Sequence, residues 1–430
     1  MTRVLVIGAY GMIGAEVARD LTAHGIAVTA LGRSQATARR VLPDADWVFH
    51  DLRDLPAATD WAPLVAGHSH VINCAGALQE NGRDNLSVVH DAAISALAKA
   101  CAEAEVGLIQ ISAVGAEASA PTEFMGSKAR GDAAVRAAGG AWWIYRPGLV
   151  LARTGYGGTA LMRLLAAVPV IQPITFARSR MQTVGMSDIC AVIRRTLAGE
   201  IAPGTEADLV EDEVHTLEEI IAAYRTWLGF APARMTLRLP GWMTRPVGWL
   251  ADGLGRLGWR SPLRSTALSI TAAGVEGDAL QTHALLGCSA TPLQQTLAQA
   301  SARAEDRLSA RIGLLMPLVI AGLSLFWISS GLIGAARLSQ AAETLAEWPV
   351  WLAKTSVLFW AAVDVALGLT VLYRPWVKRA LWGMVAVCGI YLVSASVFTP
   401  ALWLDPLGPL VKVIPAALLA LITLPMVESR

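Results

Sequence analysis

The chain opens on a short unbroken apolar run, Val4–Ile7, the pattern of a parallel strand covered on both faces. Similar runs recur at Ala27–Leu31, Trp47–Phe49, Val71–Cys74, Leu108–Ser112 and Trp142–Arg146. Helical patterns lie between most of them, notably Ala15–Ala23, Leu86–Glu105 and Ser127–Ala138. Short buried strands alternating with helices predict an α/β doubly wound parallel sheet. Residues 213–230 predict an amphipathic helix carrying Leu217, Ile220, Ile221, Tyr224 and Leu228 and ending at Gly229. From Leu239 to Trp259 apolar residues recur at steps of three and four, with Arg245, Arg256 and Arg260 among them. That mixture suits a helix lying in a membrane interface, or a lid over a pocket. Residues 281–310 predict a connecting helix.

Past Ser309 the pattern changes. Ile312–Ala336 holds no charge over 25 residues, Thr355–Tyr373 only Asp364, Ala380–Leu404 none, and Pro406–Val427 only Lys412. Each is long enough to cross a bilayer, which takes about 20 residues. The expectation is an all-α transmembrane bundle of about four helices, three if the last is re-entrant. The boundaries expected are 1–235 for the sheet domain, 236–310 for a connector or lid, and 311–430 for the membrane domain. Arg303, Arg307 and Arg311 precede the first span, and Arg374, Lys378 and Arg379 follow the second. The loop with Glu343 and Glu347 has only Arg337. The positive-inside rule then places both chain ends in the cytoplasm, and the N-terminus shows no signal-peptide pattern. An inner-membrane, multi-pass protein is expected.

Composition adds little that the pattern does not. The 54% apolar and 16% charged fractions reflect the membrane half, and most of the 15 tryptophans lie in the second half of the chain, where interfacial rings belong. A net charge of +1 excludes the broad basic field that nucleic-acid binding uses. The five cysteines, Cys74, Cys101, Cys190, Cys288 and Cys388, form no CxxC pair, so neither a metal site nor a disulfide framework is expected.

Chemistry enters at the first turn. Gly8-Ala9-Tyr10-Gly11-Met12-Ile13-Gly14 sits between the first strand and the first helix. The first glycine permits the sharp turn, the second lets backbone approach a pyrophosphate, and the third lets helix pack on strand. The helix N-terminus then offers free amides to the phosphates. The second strand ends in Gly32-Arg33-Ser34, where an arginine suits a ribose 2′-phosphate and an acid would suit a free hydroxyl. NADP(H) is therefore favoured, with NAD possible.

These residues, with His50-Asp51-Leu52, Asn73-Cys74-Ala75-Gly76, Arg146-Pro147-Gly148 and Val184-Gly185-Met186-Ser187-Asp188, resemble the short-chain dehydrogenase/reductase superfamily (SDR) in its extended and atypical branch, over roughly residues 3–230. The resemblance implies a Rossmann fold with a smaller substrate lobe. It places Asp51 and Leu52 along the adenine, Ala75 and Gly76 beneath the ribose, and Pro147 in the cofactor site. It assigns Ser112 and Lys128 the superfamily's serine and lysine roles. The acid of that chemistry is a tyrosine four residues before the lysine, its pKa of about 10 lowered by the ammonium. Here that position is Phe124. Glu123, Tyr156 and a bound water are the candidates to replace it. Loss of the tyrosine beside a kept nucleotide loop is similar to the complex I accessory subunit that holds NADPH structurally. The stretch Trp403-Leu404-Asp405-Pro406-Leu407-Gly408-Pro409-Leu410-Val411-Lys412 resembles the DoxX-like membrane family of four helices. Asp364 is the one acid inside a span and calls for a partner, with Lys354, Arg374 and Lys412 in reach of the span ends, or for a functional role.

Three functions remain in play: a membrane-anchored oxidoreductase or epimerase acting on a quinone or lipid, a non-catalytic NADP(H)-binding scaffold, assembly factor or sensor that partners a membrane protein, and transport through the bundle.

Overall fold

The computed structural model describes residues 2–76, 86–120, 122–155, 157–259, 261, 263–345, 348–406 and 408–428. Tyr156, Arg260, Glu347 and Leu407, each singled out above, lie outside them. The chain forms two compact units: residues 1–252 with 262–307, and residues 253–261 with 308–430.

The first unit is built on a seven-stranded parallel sheet. Its strands are β1 (Arg3–Ile7), β2 (Ala27–Gly32), β3 (Asp46–Phe49), β4 (His70–Asn73), β5 (Gly107–Ile111), β6 (Trp142–Pro147) and the strand Thr205–Leu209. In space they run Thr205–Leu209, β6, β5, β4, β1, β2, β3. The doubly wound layout follows from side-chain alternation along buried strands. Val4 and Val6 of β1 join a core with Val17, Leu21, Ile72, Tyr145 and Ile193; Leu5 and Ile7 join the opposite core with Leu31, Trp61, Ile94, Leu97 and Ile144. Both faces need helices. Helix α1 (Met12–Ala23) supplies Val17 and Leu21 to the first, α2 (Gln35–Val41) follows β2, and α3 (Ala58–Val65) and α4 (Ala93–Glu103) cover the second. Helix α5 (Glu123–Ala138) follows β5, its start capped by Thr122. Strand order reverses between β1 and β4, which opens a crevice at their carboxyl ends.

Three short ribbons form the smaller lobe: Leu149–Leu151 beside Thr183–Gly185, Arg180–Met181 beside His215–Thr216, and Ile171–Thr175 beside Met235–Leu239. The predicted amphipathic helix is Leu217–Trp227, opened by a capping box in which Thr216 and Glu219 satisfy each other's backbone. The single helix expected over 281–310 is instead three pieces: Ala279–Leu286, Leu293–Gln299 and the start of Ala304–Ala336. Gly287 ends the first in the left-handed region (φ 73°), and Pro292 sets the start of the second. These pieces dock on the sheet unit. Thr282 Oγ1 donates to the Asp208 carbonyl (3.0 Å), the Thr291 amide to Asp188 (2.9 Å), and the Leu293 amide to the buried Glu211 carboxylate (2.7 Å).

Among the described residues, the second unit contains four helices long and apolar enough to cross a membrane: Ala304–Ala336, Val350–Thr370, Val377–Phe398 and Pro409–Glu428. Met316, Leu323, Trp327, Leu381, Met384 and Leu424 fill its core. Outward, Leu318, Leu325, Val393 and Ile422 are each at least 60% exposed, a surface that water would penalise and lipid accepts. Residues 253–261 belong here: Trp259 Nε1 donates to the Leu372 carbonyl (2.6 Å), and the Arg374 amide to the Leu257 carbonyl (3.0 Å). Among the described residues no basic side chain holds Asp364. Ser330 Oγ and the Tyr391 hydroxyl each donate to it at 2.9 Å, so both carboxylate oxygens are satisfied by neutral donors from neighbouring spans. Of the expected partners, Arg374 instead donates to the Val427 carbonyl (2.7 Å).

Candidate functional site

The glycine turn stands at the mouth of the β1/β4 crevice. Gly8 has φ +72°, and its amide donates to the Leu31 carbonyl (3.0 Å), tying the turn to the end of β2. A Cβ on Gly8 would lie 2.9 Å from the Ala75 backbone, and one on Gly14 would lie 2.4 Å from the Gly8 carbonyl oxygen. Side chains at either place would push the helix or the neighbouring loop away. Gly11 takes the N-cap position of α1 without a side-chain cap, so no side chain there competes for the first-turn amides. Met12 and Ile13 begin α1, half-buried against the first core.

Tyr10 leaves this loop toward β2. Its ring covers Gly32, where a Cβ would come within 2.4 Å of it, and stands 5.9 Å from Trp47. Its hydroxyl accepts the Arg33 amide (3.2 Å), so the loop fixes the backbone at the point where Arg33 projects. Ser34 caps α2 through the Thr37 amide (3.3 Å). Asp51 caps the turn Leu52–Asp54 and takes two bonds from the Arg53 guanidinium (3.1 and 2.8 Å). That partner holds its carboxyl below the usual range. On β4, buried Asn73 accepts the Ala75 amide (3.1 Å) and donates to Gln110 (2.7 Å), which shapes the bend leading to Gly76. Pro147 closes β6, and its carbonyl accepts the Val114 amide (3.1 Å).

At the end of β5 lies a buried polar cluster. Lys128 Nζ donates to the Ile111 carbonyl (3.1 Å) and lies 4.0 Å from where a Cβ on Gly76 would stand. Burial lowers its pKa, and Asp132 opposes the shift. Ser112 Oγ donates to Asp132 Oδ2 (2.6 Å). Phe124 lies against the same ammonium, 5.7 Å from ring centre to Nζ, and meets His90 edge-on at 5.6 Å. His90 shares a hydrogen bond with Ser127 Oγ (2.9 Å), and burial drives its imidazole down to about 3. Cys74, half-buried at the surface of the cluster, has its thiol pushed up to about 12. Glu123 stands apart from this cluster. It is exposed at the start of α5 and pairs with Arg130 (2.5 Å), which also holds Asp91 (2.9 Å).

His90 and Asp132 were missed from sequence. Asp132 follows Lys128 by one helical turn, so it shares that residue's face, and this spacing was a usable signal. His90 offered none, because a lone histidine gives no hint of burial. Beside α1, a cleft of about 510 Å³ opens between Glu16, Leu151, Arg153, Met186, Trp227 and Arg303.

Residues 8–164 match a family model described as NAD(P)H-binding, and residues 324–421 match one described as the DoxX-like family. Comparison with curated proteins gives no match. Among solved structures, the fold is similar to the Bordetella bronchiseptica enzyme WbmG in complex with NAD and UDP, at 18% identity and a TM-score of 0.51, covering 69% of this chain and 92% of that one. It is similar to an NADPH-dependent quinone oxidoreductase from Escherichia coli complexed with NADPH, at 16% identity and TM-score 0.51, covering 69% and 99%. It is also similar to a dTDP-glucose 4,6-dehydratase from Bacillus anthracis in complex with NAD, at 11% identity and TM-score 0.52, covering 70% and 96%. The chain thus joins an NAD(P)-binding Rossmann-like domain to a C-terminal DoxX-like domain, and it is membrane-associated.

Proposed function

We propose that this joined pair of domains is a membrane-anchored oxidoreductase that takes NADP(H) in preference to NAD(H) and acts on an apolar carbonyl or quinone. The observation that carries the reading is the glycine turn, in which Gly8 and Gly14 leave no room for a Cβ and Gly11 only a tight one, just where α1 begins without a side-chain cap. Gly8, Tyr10, Gly11, Met12, Ile13 and Gly14 would line the diphosphate, and Ala75, Gly76 and Pro147 would flank the nicotinamide half. Asp51 and Leu52 would border the adenine. Arg33, its backbone set by Tyr10, and Ser34 would meet a ribose 2′-phosphate. Bound there, the dinucleotide supplies or accepts a hydride. Lys128 would hold the ribose, and Ser112 would orient the substrate oxygen.

The spans would hold this unit on the cytoplasmic face of the inner membrane, with both chain ends inside, as the basic residues around Arg307 and Lys378 favour. A substrate that partitions into lipid fits that address. The quinone oxidoreductase among the structural neighbours makes quinones the first compounds to try.

The decisive experiment is purification of the full chain in detergent, with mass spectrometry of any retained nucleotide and titration with NADPH and NADH. NADPH binding tighter than NADH, followed by NADPH oxidation with a quinone or lipid carbonyl, is expected; failure to bind either dinucleotide ends the proposal. A second reading, a non-catalytic NADP(H) holder, is favoured by Phe124 packed on the Lys128 ammonium. It predicts nucleotide retention without turnover, and cellular function unchanged by Ser112→Ala.

A further inference from the structure

We propose that Asp132 acts through Ser112 as the proton store of this site, so that the pair performs the transfer for which Phe124 has no hydrogen. This rests on the oxidoreductase reading above. Three observations on the page carry it. Ser112 follows β5 directly, at the carboxyl edge of the sheet where the crevice opens, and its hydroxyl points to Asp132 at 2.6 Å. Asp132 is 1% exposed, so no bulk water competes for this bond. Its other oxygen, Oδ1, is buried without a hydrogen-bond partner among the described residues, an uncommon and costly arrangement for a carboxylate.

The groups facing Asp132 come from every side. Lys128 and Arg136 stand on its own helix, Ser112 follows β5, and Arg146 Nε on β6 lies 3.8 Å away. Arg146 is shared. It also pairs with Glu206 and lies 4.0 Å from Asp208, so its charge is spread over three carboxylates. Burial outweighs these cations and raises the Asp132 carboxyl above its ordinary value.

A serine hydroxyl has one proton. With Asp132 ionised, that proton is committed to the carboxylate and Ser112 can only accept. With Asp132 protonated, the carboxyl O–H donates to Ser112 Oγ, and the serine proton is free to turn to the substrate oxygen. In the reducing direction the bound reduced dinucleotide would supply a hydride to the carbonyl carbon, and the C=O π pair would move onto oxygen. That oxygen takes the Ser112 proton, and Ser112 takes the Asp132 proton in the same sequence. The products are the alcohol, an intact serine and the Asp132 carboxylate, which regains a proton from hydronium through Ser112 once the alcohol leaves the crevice.

The test uses the full chain in detergent. In Asp132→Asn, NADPH affinity is expected within twofold of wild type, while kcat/KM falls by about 10²-fold, the usual scale of a lost acid–base group. Wild-type reduction declines as pH rises through the Asp132 pKa; the variant loses that limb. Ser112→Ala falls as far as the double variant, because the two act as a unit. A readout independent of turnover is the infrared carboxylic C=O stretch. A band that persists in wild type above the pH range where an ordinary carboxyl ionises, absent in Asp132→Asn and shifted in Ser112→Ala, is expected. An active wild type with an active Asp132→Asn of unchanged pH profile overturns the relay alone, as does absence of the band. A wild type that binds NADPH but reduces no carbonyl or quinone overturns the oxidoreductase reading and the relay together.

Discussion

Gly14 shows how little tolerance the turn has. The 2.4 Å approach of a Cβ to the Gly8 carbonyl oxygen involves backbone on both sides, so nothing can yield without moving α1. Gly25 is a matched control: it has φ +77° and nothing within 4 Å of a Cβ. Gly14→Ala is expected to abolish the thermal shift given by NADPH, while Gly25→Ala lowers Tm by the equivalent of about 1 kcal/mol and keeps the shift intact. A normal shift in Gly14→Ala would remove the turn from the binding site. His90 makes a different prediction. It is neutral when folded, with a pKa near 3, against about 6.5 unfolded. Below pH 6.5 the unfolded chain binds a proton that the folded one refuses. Its contribution is therefore fully present above pH 6.5 and lost on the way to 3, at up to about 1.4 kcal/mol per pH unit. Asp132, with its raised pKa, pulls the other way as pH climbs past the usual carboxylate range, so a difference measurement is needed. The melting curve of His90→Gln in detergent should fall less between pH 6.5 and 4.5 than that of wild type; parallel curves would exclude His90 as the cause.

Among elements, those buried on both sides were the most readable. The apolar runs of β1, β2 and β5 leave no choice but a covered sheet, and their sequence neighbours supply the covering helices. The glycine turn was legible because backbone geometry restricts it to one residue type. What stayed hidden depends on distant partners. The break at Gly287–Pro292 was masked by apolar periodicity on either side, though its glycine and proline were in plain view. The neutral donors to Asp364 come from two other helices, and no spacing in the sequence brings Ser330 and Tyr391 to it. The first two spans also meet through small residues. A Cβ on Gly331 would lie 2.4 Å from the Ala361 carbonyl, and one on Gly368 2.9 Å from the Ile328 amide nitrogen, while Ser324 Oγ donates to the Gly368 carbonyl (2.7 Å). Such close backbones are how helices associate in lipid. Gly368→Leu should separate this pair and lower the melting temperature of the bundle while leaving NADPH binding in place. An unchanged melt would show that the pair is not held there.

For the whole molecule, the sidedness proposed from basic residues can be checked with the protein's own thiols. Among the five cysteines only Cys288 is exposed. Cys74 is half-buried and Cys101 buried, both with thiols pushed up to about 12, and Cys190 is pushed up as well. Thiolates react and thiols do not. A membrane-impermeant maleimide should label wild type in inverted vesicles, not in intact spheroplasts, and Cys288→Ser in neither. Labelling in spheroplasts alone would reverse the topology.

The chain passes between the two units three times, after residues 252, 261 and 307. Translation therefore delivers a piece of the membrane unit before the nucleotide unit is complete. The buried Glu211 carboxylate waits for the Leu293 amide, which leaves the ribosome only shortly before Ala304–Ala336 begins. Until then Thr183 holds Glu211 Oε1 but the Leu293 amide is still missing from Oε2, and a nascent polypeptide halted earlier should be cut more readily by protease. Completion of the nucleotide half and emergence of the first hydrophobic anchor are in this way neighbouring steps on the growing chain.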